Sequence, residues 1–438
     1  MKLTKLFTKT TRDFPANETA KNAQLLIRAG FVHKTMAGVY SYLPLGLRVL
    51  NKIENIVRNH LNEIGGQEIL MNSLHPKEWW DITDRWSPEK VDVLFRLESQ
   101  TKSQYALACS HEEQVTPIAK SFINSWKDLP VTDLKNNIYP LSVYQIQTKF
   151  RDELRSKSGL LRGREFRMKD MYDFHVNEES ANQYYDLVKE TYFKIYQEMG
   201  LKAYAVHASG GMFTQNDSHE FQVICEAGED EIFYDENGFA VNSEILDELK
   251  QKDAEIPNNL QKAISAEVGN IFKLGDKYTK AFNLTYTDAN NQQQIPIMNC
   301  HGIGTSRCMG VIAEIHSDEK GLKWPKSVAP FEFHLVTSLE RNDEDLNQRI
   351  MDLANKVYTG HIRLLDDGTW VNYDNQGDRN KLTLSEWSKH IEVLWDDRAD
   401  KGLGEKLKDA DLIGCPVQLI ISKRSLENFQ SGIEFKVR

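Results

Sequence analysis

Residues Val143 to His175 read VYQIQTKFRDELRSKSGLLRGREFRMKDMYDFH. Alternation along an extended chain puts Gln145, Gln147, Lys149, Arg151 and Glu153 on one face and Tyr144, Ile146 and Phe150 on the other. One face is polar enough to touch a polar ligand. Between Leu154 and Arg164 the chain carries Arg155, Lys157, Arg162 and Arg164 among serines and glycines, a composition that suits a hairpin loop closing on phosphates. A second strand is expected to return from Glu165. For Phe150-Arg151-Asp152-Glu153 alone, a surface hairpin with solvated charges is the better explanation of the pattern.

Taken whole, with its FRDE, LLRGREF, MKD and DFH segments, the stretch resembles motif 2 of the class II aminoacyl-tRNA synthetases, and among them the prolyl-tRNA synthetases of bacterial type. The resemblance implies an α+β protein. Its catalytic domain is an antiparallel sheet flanked by helices, followed by a C-terminal α/β anticodon-binding domain. It implies that Arg151 bridges the proline carboxylate and the α-phosphate of ATP. Glu153 accepts from the adenine amino group, Phe166 stacks on the ring, and Arg162 holds outer phosphates. Proline is expected to be bound by Arg151 and His175 among others. Phe166 and His175 are nine residues apart, so both line one site only if the strand ends or bends before His175.

Composition sets bounds around that expectation. The 438 residues carry 54 Lys and Arg against 64 Asp and Glu, a net charge of -10, so any nucleic-acid contact must come from a local basic face. Cys109, Cys225, Cys300, Cys308 and Cys415 contain no CxxC pair, which argues against a disulfide framework and a zinc site. No stretch reads as a signal peptide or membrane span, and a cytoplasmic location is expected.

Upstream, Leu47, Leu50, Ile53, Val57, Leu61 and Ile64 follow a helical period, Gly65-Gly66 ends it, and Gln67 to Met71 reads as a strand. This helix and strand resemble motif 1, the dimer interface of the class, with Asn72 where the family has proline; a homodimer is implied. Ser110 and Glu113 fit the spacing of a capping box before a helical run from Gln114. The prolyl family has Thr-His-Glu-Glu at Ser110-His111-Glu112-Glu113, so by resemblance Ser110 touches the amino acid and Glu112 binds its nitrogen. A secondary ammonium has two N–H donors, which a carboxylate and a hydroxyl suit.

A further helix is expected over 177–199. Beyond it a lone His219 is more often a hydrogen-bonded structural residue, but Asp-Ser-His-Glu-Phe-Gln matches the family's segment. By that match His219 borders the proline pocket, while Thr214 and Asp217 reach ATP. Gly302 and Gly304 precede a helix opening near Ser306, and Gly-Ile-Gly-Thr-Ser-Arg resembles motif 3, which makes Arg307 the ligand of the ATP tail.

Prolines 325 and 330 mark a linker, after which strands at 333–336, 391–394 and 417–421 alternate with helices at 346–357 and 403–410, a small α/β pattern. Its last 44 residues resemble the class IIa anticodon-binding domain. Residues 1–328 are thus expected to be catalytic and 329–438 anticodon-binding. Residues 235–267 form a short, helix-prone connector where many bacterial relatives insert an editing domain. The implied reaction ligates L-proline to tRNA(Pro) through a prolyl-adenylate, with ATP as substrate and Mg²⁺ as its counter-ion. Arg151 and Arg307 are the catalytic residues, no protein metal ligand is expected, and no cis-editing of alanyl-tRNA is expected. Threonyl or glycyl specificity and a synthetase-like protein without catalysis are the rivals. A threonyl enzyme would need a zinc-binding His/Cys set, and the cysteines here are not so placed; the protein without catalysis is disfavoured because Arg151, Glu153, Arg162 and Arg307 are all present.

Overall fold

The computed structural model describes residues 1–16, 18–155, 158–208, 218–251, 256–364, 370–372 and 392–438. The first long helix, α1 (Pro44–Glu63), begins with proline at its first turn, where the missing N–H is no loss, and is followed by Gly65 at φ +83°. Its buried stripe is Leu45, Val49, Leu50, Ile53, Ile56, Val57 and Leu61. Leu47, expected on that stripe, is 47 % exposed, because Leu45 and Val49 supply the first turn of the apolar face instead. The strand expected at 67–71 shortens to β1 (Gln67–Glu68). Beyond it the chain stays alongside through Met71 N–H donating to Gln145 Oε1 at 3.0 Å.

Helix α2 (Glu112–Lys120) precedes the two long strands β2 (Leu141–Phe150) and β3 (Glu165–His175), which pair antiparallel without a break from Leu141↔Phe174 to Phe150↔Glu165. Helix α3 (Glu178–Glu198) follows, with the Asn177 side chain accepting from Ser180 N–H at 2.9 Å as its cap. Strands β4 (Ala203–Ala208), β5 (Ser218–Ile224), β6 (Asp230–Tyr234), β7 (Ala240–Asn242), β8 (Gln261–Gly275) and β9 (Ile297–Ile303) lead to helix α4 (Thr305–Ile315). Among the described residues these strands form a nine-stranded sheet in the order β5-β4-β7-β6-β8-β9-β3-β2-β1, antiparallel except at β7/β4 and β1/β2.

Each face of this sheet has its own core. On one, Tyr144, Met171, Ile271 and Ile303 pack under α1, α3 and α4. On the other, Tyr172, Phe272, Met298 and Cys300 meet Val115 and Ala119 of α2. The stretch 235–267 departs from the expected bare connector. It holds a helix, Ser243–Gln251, but also β7 and the start of β8, because pairing with β6 and β5 overrides the local helix preference.

A second sheet is built from β10 (Phe333–Thr337), β11 (Val393–Asp396), β12 (Val417–Ile421) and β13 (Glu434–Val437), in the order β11-β10-β12-β13. β10 runs parallel to β11 and β12, with helices α5 (Glu344–Tyr358) and α6 (Leu403–Ile413) in the connections. The expected strand at 391–394 starts at Val393, and Ile391 lies outside the described residues. No described helix is long and apolar enough to cross a membrane.

Helix α1 runs so close to the Phe31 backbone that a Cβ on Gly46 would sit 2.1 Å from the Phe31 carbonyl oxygen. Gly46→Ala is therefore expected to cost about 1–3 kcal/mol. That loss would be measured as a lower midpoint of urea unfolding followed by circular dichroism.

Candidate active site

The polar stripe of β2 divides where the strand ends. Lys149 pairs with Asp170 at 2.6 Å, Gln145 donates to the same carboxylate at 3.0 Å, and Gln147 donates to the Met71 carbonyl, so these three brace the sheet rather than face a ligand. Phe150 N–H donates to the Ala108 carbonyl, Arg151 N–H to that of Arg164, and Arg164 N–H to that of Gly38. Those bonds turn the chain off the sheet at Arg151. Its guanidinium then lies 5.2 Å from the centre of the Phe166 ring.

Arg151, Glu153, Arg162, Glu229, Glu267 and Arg307 line one cavity of about 240 Å³. Arg307 enters it from the first turn of α4, whose cap Gly304 donates its N–H to Val268. Carboxylates hold two of the three guanidinium groups in place. Arg162 reaches Glu153 at 2.7 Å and Glu229 at 2.7 Å, and Arg307 donates to the Glu267 carbonyl at 2.8 Å and its carboxylate at 3.2 Å. Glu153, expected at the adenine amino group, is 8 % exposed with Oε2 bonded to Arg162.

The basic loop is tied to α4 by buried Asn22. Its amide donates to the Ser158 carbonyl and to Glu314 Oε2, and its Oδ1 accepts from Leu160 N–H. Gly159, at φ +64°, is required there, since a Cβ would stand 2.3 Å from Asn22 Oδ1.

The turn before α2 holds the second group of expected residues. The cap of α2 is His111, without a side-chain cap bond, so the Ser110–Glu113 capping box does not form. Glu113 turns inward instead and meets Arg85 at 2.6 Å. Glu112 is fully buried, with the Cys300 thiol 3.1 Å from its Oε1. Burial pushes its carboxyl up from the usual range, opposed chiefly by Arg85. The Phe150–Ala108 bond sets this turn beside Arg151, whose charge is felt at Cys109.

Sheet parity separates both expected histidines from this site. Directly paired residues share a face. Tyr172, Cys300, Phe272 and Ser218 form one such row, and Tyr172 accepts from His111 N–H, which marks it as the site face. Met171, His301, Ile271 and His219 form the next row, facing α3. There His219 contacts Tyr185 at 2.8 Å and Lys189 at 3.1 Å, and burial with the nearby Lys189 charge pulls it down to about 3. Because β3 neither ends nor bends, His175 also faces the helices, fully buried between Asp173 at 2.5 Å and Ser180 at 3.0 Å. Thr214 and Asp217 lie outside the described residues. Sequence reasoning missed Arg85, Glu229 and Glu267; none falls in a periodic or motif-like setting, and only the folded sheet brings them to the arginines and to α2.

Residues 95–316 match the family described as tRNA synthetase class II core domain (G, H, P, S and T), and residues 335–434 match an anticodon binding domain. A relative from Ehrlichia canis (strain Jake), named Proline--tRNA ligase, is 34% identical over 453 residues, covering 100% of this chain and 96% of its own length. Another of that name, from Geobacillus kaustophilus (strain HTA426), is 32% identical and covers 100% and 96%, but its alignment runs to 592 positions against the 438 residues here. The solved structure of Giardia lamblia prolyl-tRNA synthetase in complex with prolyl-adenylate has the same fold, with a TM-score of 0.72 over 97% of this chain and 73% of that one at 18% identity.

Glu229 is a half-exposed competitor for Arg162. Its replacement in Glu229→Gln is expected to tighten pyrophosphate binding about three- to fivefold, the value of roughly 1 kcal/mol for such a pair. Isothermal titration of the variant against the unaltered protein checks it, and equal or weaker binding would show that the two anions do not compete.

Proposed function

The chain belongs to the proline--tRNA ligases of the class II aminoacyl-tRNA synthetase family, and from that membership we propose that its arginine-lined cavity activates L-proline with ATP and passes it to tRNA(Pro). In the first step a proline carboxylate oxygen attacks the α-phosphorus and pyrophosphate leaves. In the second, a terminal ribose hydroxyl of the tRNA attacks the carbonyl carbon of the prolyl-adenylate and AMP leaves. Neither step needs a protein nucleophile; both need positioning and neutralised charge.

The observation that carries the proposal is the convergence of Arg151, Arg162 and Arg307 on one cavity, with Arg151 also beside the turn that holds Ser110 and Glu112. A planar guanidinium can address a carboxylate and a phosphate together, which a lysine ammonium cannot. Arg151 is thus assigned to the proline carboxylate and α-phosphate, Arg307 and Arg162 to the outer phosphates, and Phe166 to the adenine ring. Ser110 and Glu112 are assigned to the ring nitrogen of proline. Glu153 reaches the adenine amino group once phosphates take Arg162 from it. Among the described residues no three acidic, histidine or cysteine side chains converge as a metal site, and Mg²⁺ is assigned to enter as the counter-ion of ATP.

Residues 329–438 are assigned to the anticodon loop, residues 1–328 to catalysis, and the protein to a cytosolic homodimer formed through α1 and the chain after it. Where an editing domain would lie, the crossing from β7 to β8 holds, among the described residues, the nine-residue helix Ser243–Gln251. The pocket that takes proline also admits smaller alanine, because lost apolar contacts discriminate by only about 1–3 kcal/mol per methylene.

Across the twenty amino acids, proline is expected to support ATP–pyrophosphate exchange above all others, and Arg151→Lys to lower that exchange about 100-fold or more with the fold intact. Near-normal exchange by a folded variant would remove Arg151 from its role. Preformed alanyl-tRNA(Pro), incubated with the purified protein, is expected to decay no faster than in buffer; rapid deacylation would show an editing activity within this chain.

A further inference from the structure

Glu112 and Glu113 follow one another with side chains that expose no surface; Arg85, itself 4 % exposed, forms an ion pair with both, and the Lys277 charge is also felt by both. Its Nη1 lies 2.6 Å from Glu113 Oε1, 4.0 Å from Glu112 Oε2 and 3.0 Å from the Tyr278 hydroxyl. Thr83 donates to the same Glu113 oxygen at 2.9 Å. Glu113 is therefore held from two sides, whereas Glu112 receives the guanidinium charge at a longer distance and keeps Oε1 toward Cys300.

Two carboxylates buried side by side do not both ionise; one takes a proton unless a cation sits between them. With Arg85 in place the trio carries a single net negative charge. That charge equals in size the positive charge of one secondary ammonium. Glu113 neutralises the guanidinium, so the unbalanced negative charge falls on Glu112, the member nearer Ser110 and Cys300.

We propose that Arg85 is a positioning residue for the amino-acid half of the reaction, keeping Glu112 ionised and aimed at the ring nitrogen of the substrate without touching any reactant. The proposal rests on the assignment of Glu112 to that nitrogen in the preceding subsection. Burial and then Glu113 push the Glu112 carboxyl up, and Arg85 is the first group that opposes them, so its loss would favour the protonated form further. Arg85 is outside the cavity of Arg151 and Arg307, so ATP should not sense its loss.

The test measures exchange kinetics of Arg85→Gln and Arg85→Lys. In Arg85→Gln the KM for proline is expected to rise about thirtyfold, the value of a charge-assisted hydrogen bond, with the KM for ATP within about twofold of normal. Arg85→Lys is expected to recover part of the loss. Inhibition by tetrahydrofuran-2-carboxylate, whose ring oxygen carries no charge, is expected to change less than about threefold, because the lost interaction is with the ammonium alone. If Arg85→Gln does not fold, Arg85→Lys carries the test with a smaller rise in the KM for proline alone, and the paired variant Arg85→Gln/Glu113→Gln, which keeps the single negative charge on Glu112, is expected to lose less proline affinity than Arg85→Gln would. An unchanged KM for proline, or equal losses for proline, the analogue and ATP, would overturn the role of Arg85. Failure of the unaltered protein to exchange with proline would overturn the assigned function first, and this inference with it.

Discussion

The ten-pair antiparallel ladder between β2 and β3 is the constraint from which the rest of the site follows. Its register decides, residue by residue, which side chains meet the ligand cavity and which meet the helices, since a slip of one position would exchange the two faces. Asp170 anchors the site face. It takes Lys149, Gln145 and the Tyr172 hydroxyl, and Tyr172 in turn accepts from His111 N–H at 3.0 Å, which carries the register of the sheet into the turn that ends at Glu112. On the opposite face Asp173 gathers His175, His301 and Asn299. Two carboxylates three residues apart thus serve different cores. Replacing either by an apolar group would leave buried partners unpaired, the costly way to break such a network.

The arginines of the cavity were legible through the resemblance of their segments to motifs 2 and 3, since by composition alone a solvated hairpin and a glycine turn account for them. The helix at 177–199 was legible through Asn177, and α1 through its 3.6-residue period. What could not be read was parity beyond a strand's visible end. His175 and His219 belong to family-like segments, yet both lie in rows that face α3; the nine-residue spacing from Phe166 already warned of this for His175, whereas for His219 only the pairing of β5 with β8 reveals it. The Ser110–Glu113 spacing misled for a related reason. Local geometry favours a cap, but Arg85, distant in sequence, offers Glu113 a stronger partner than a backbone N–H. The helix preference of 235–267 lost likewise to strands that pair with it from both sides.

A net charge of -10 looks ill-suited to a polyphosphate ligand, and the cavity explains how the two coexist. Glu153, Glu229 and Glu267 accompany the arginines, so the cavity gathers guanidinium groups without leaving an exposed basic field. Farther along the same face Glu220 is pushed up to about 8, first by burial and then by Glu267. That upward shift disfavours its charged form, which limits the negative charge near Arg307. An anion must therefore displace carboxylates to bind, and one with several closely spaced charges does so better than a single carboxylate.

Helix α1 joins the cavity to the C-terminal sheet. Near its start Arg48 pairs with Glu392, Lys52 reaches the same carboxylate at 2.5 Å, and Glu392 directly precedes β11. Half a turn further on, Glu54, 3 % exposed, receives Arg167 of β3 through two bonds of 2.9 and 3.1 Å and stands 3.4 Å from Thr305 at the start of α4. The N-terminal ammonium adds a separate tie, donating to the Val393 carbonyl. A helix is stiff over the two turns involved, so the C-terminal sheet cannot shift along α1 without straining either the Glu392 pairs or the bonds that set β3 against α4. The same helix that packs the core beneath the sheet thereby ties β3 and the start of α4 to the strand that follows Glu392.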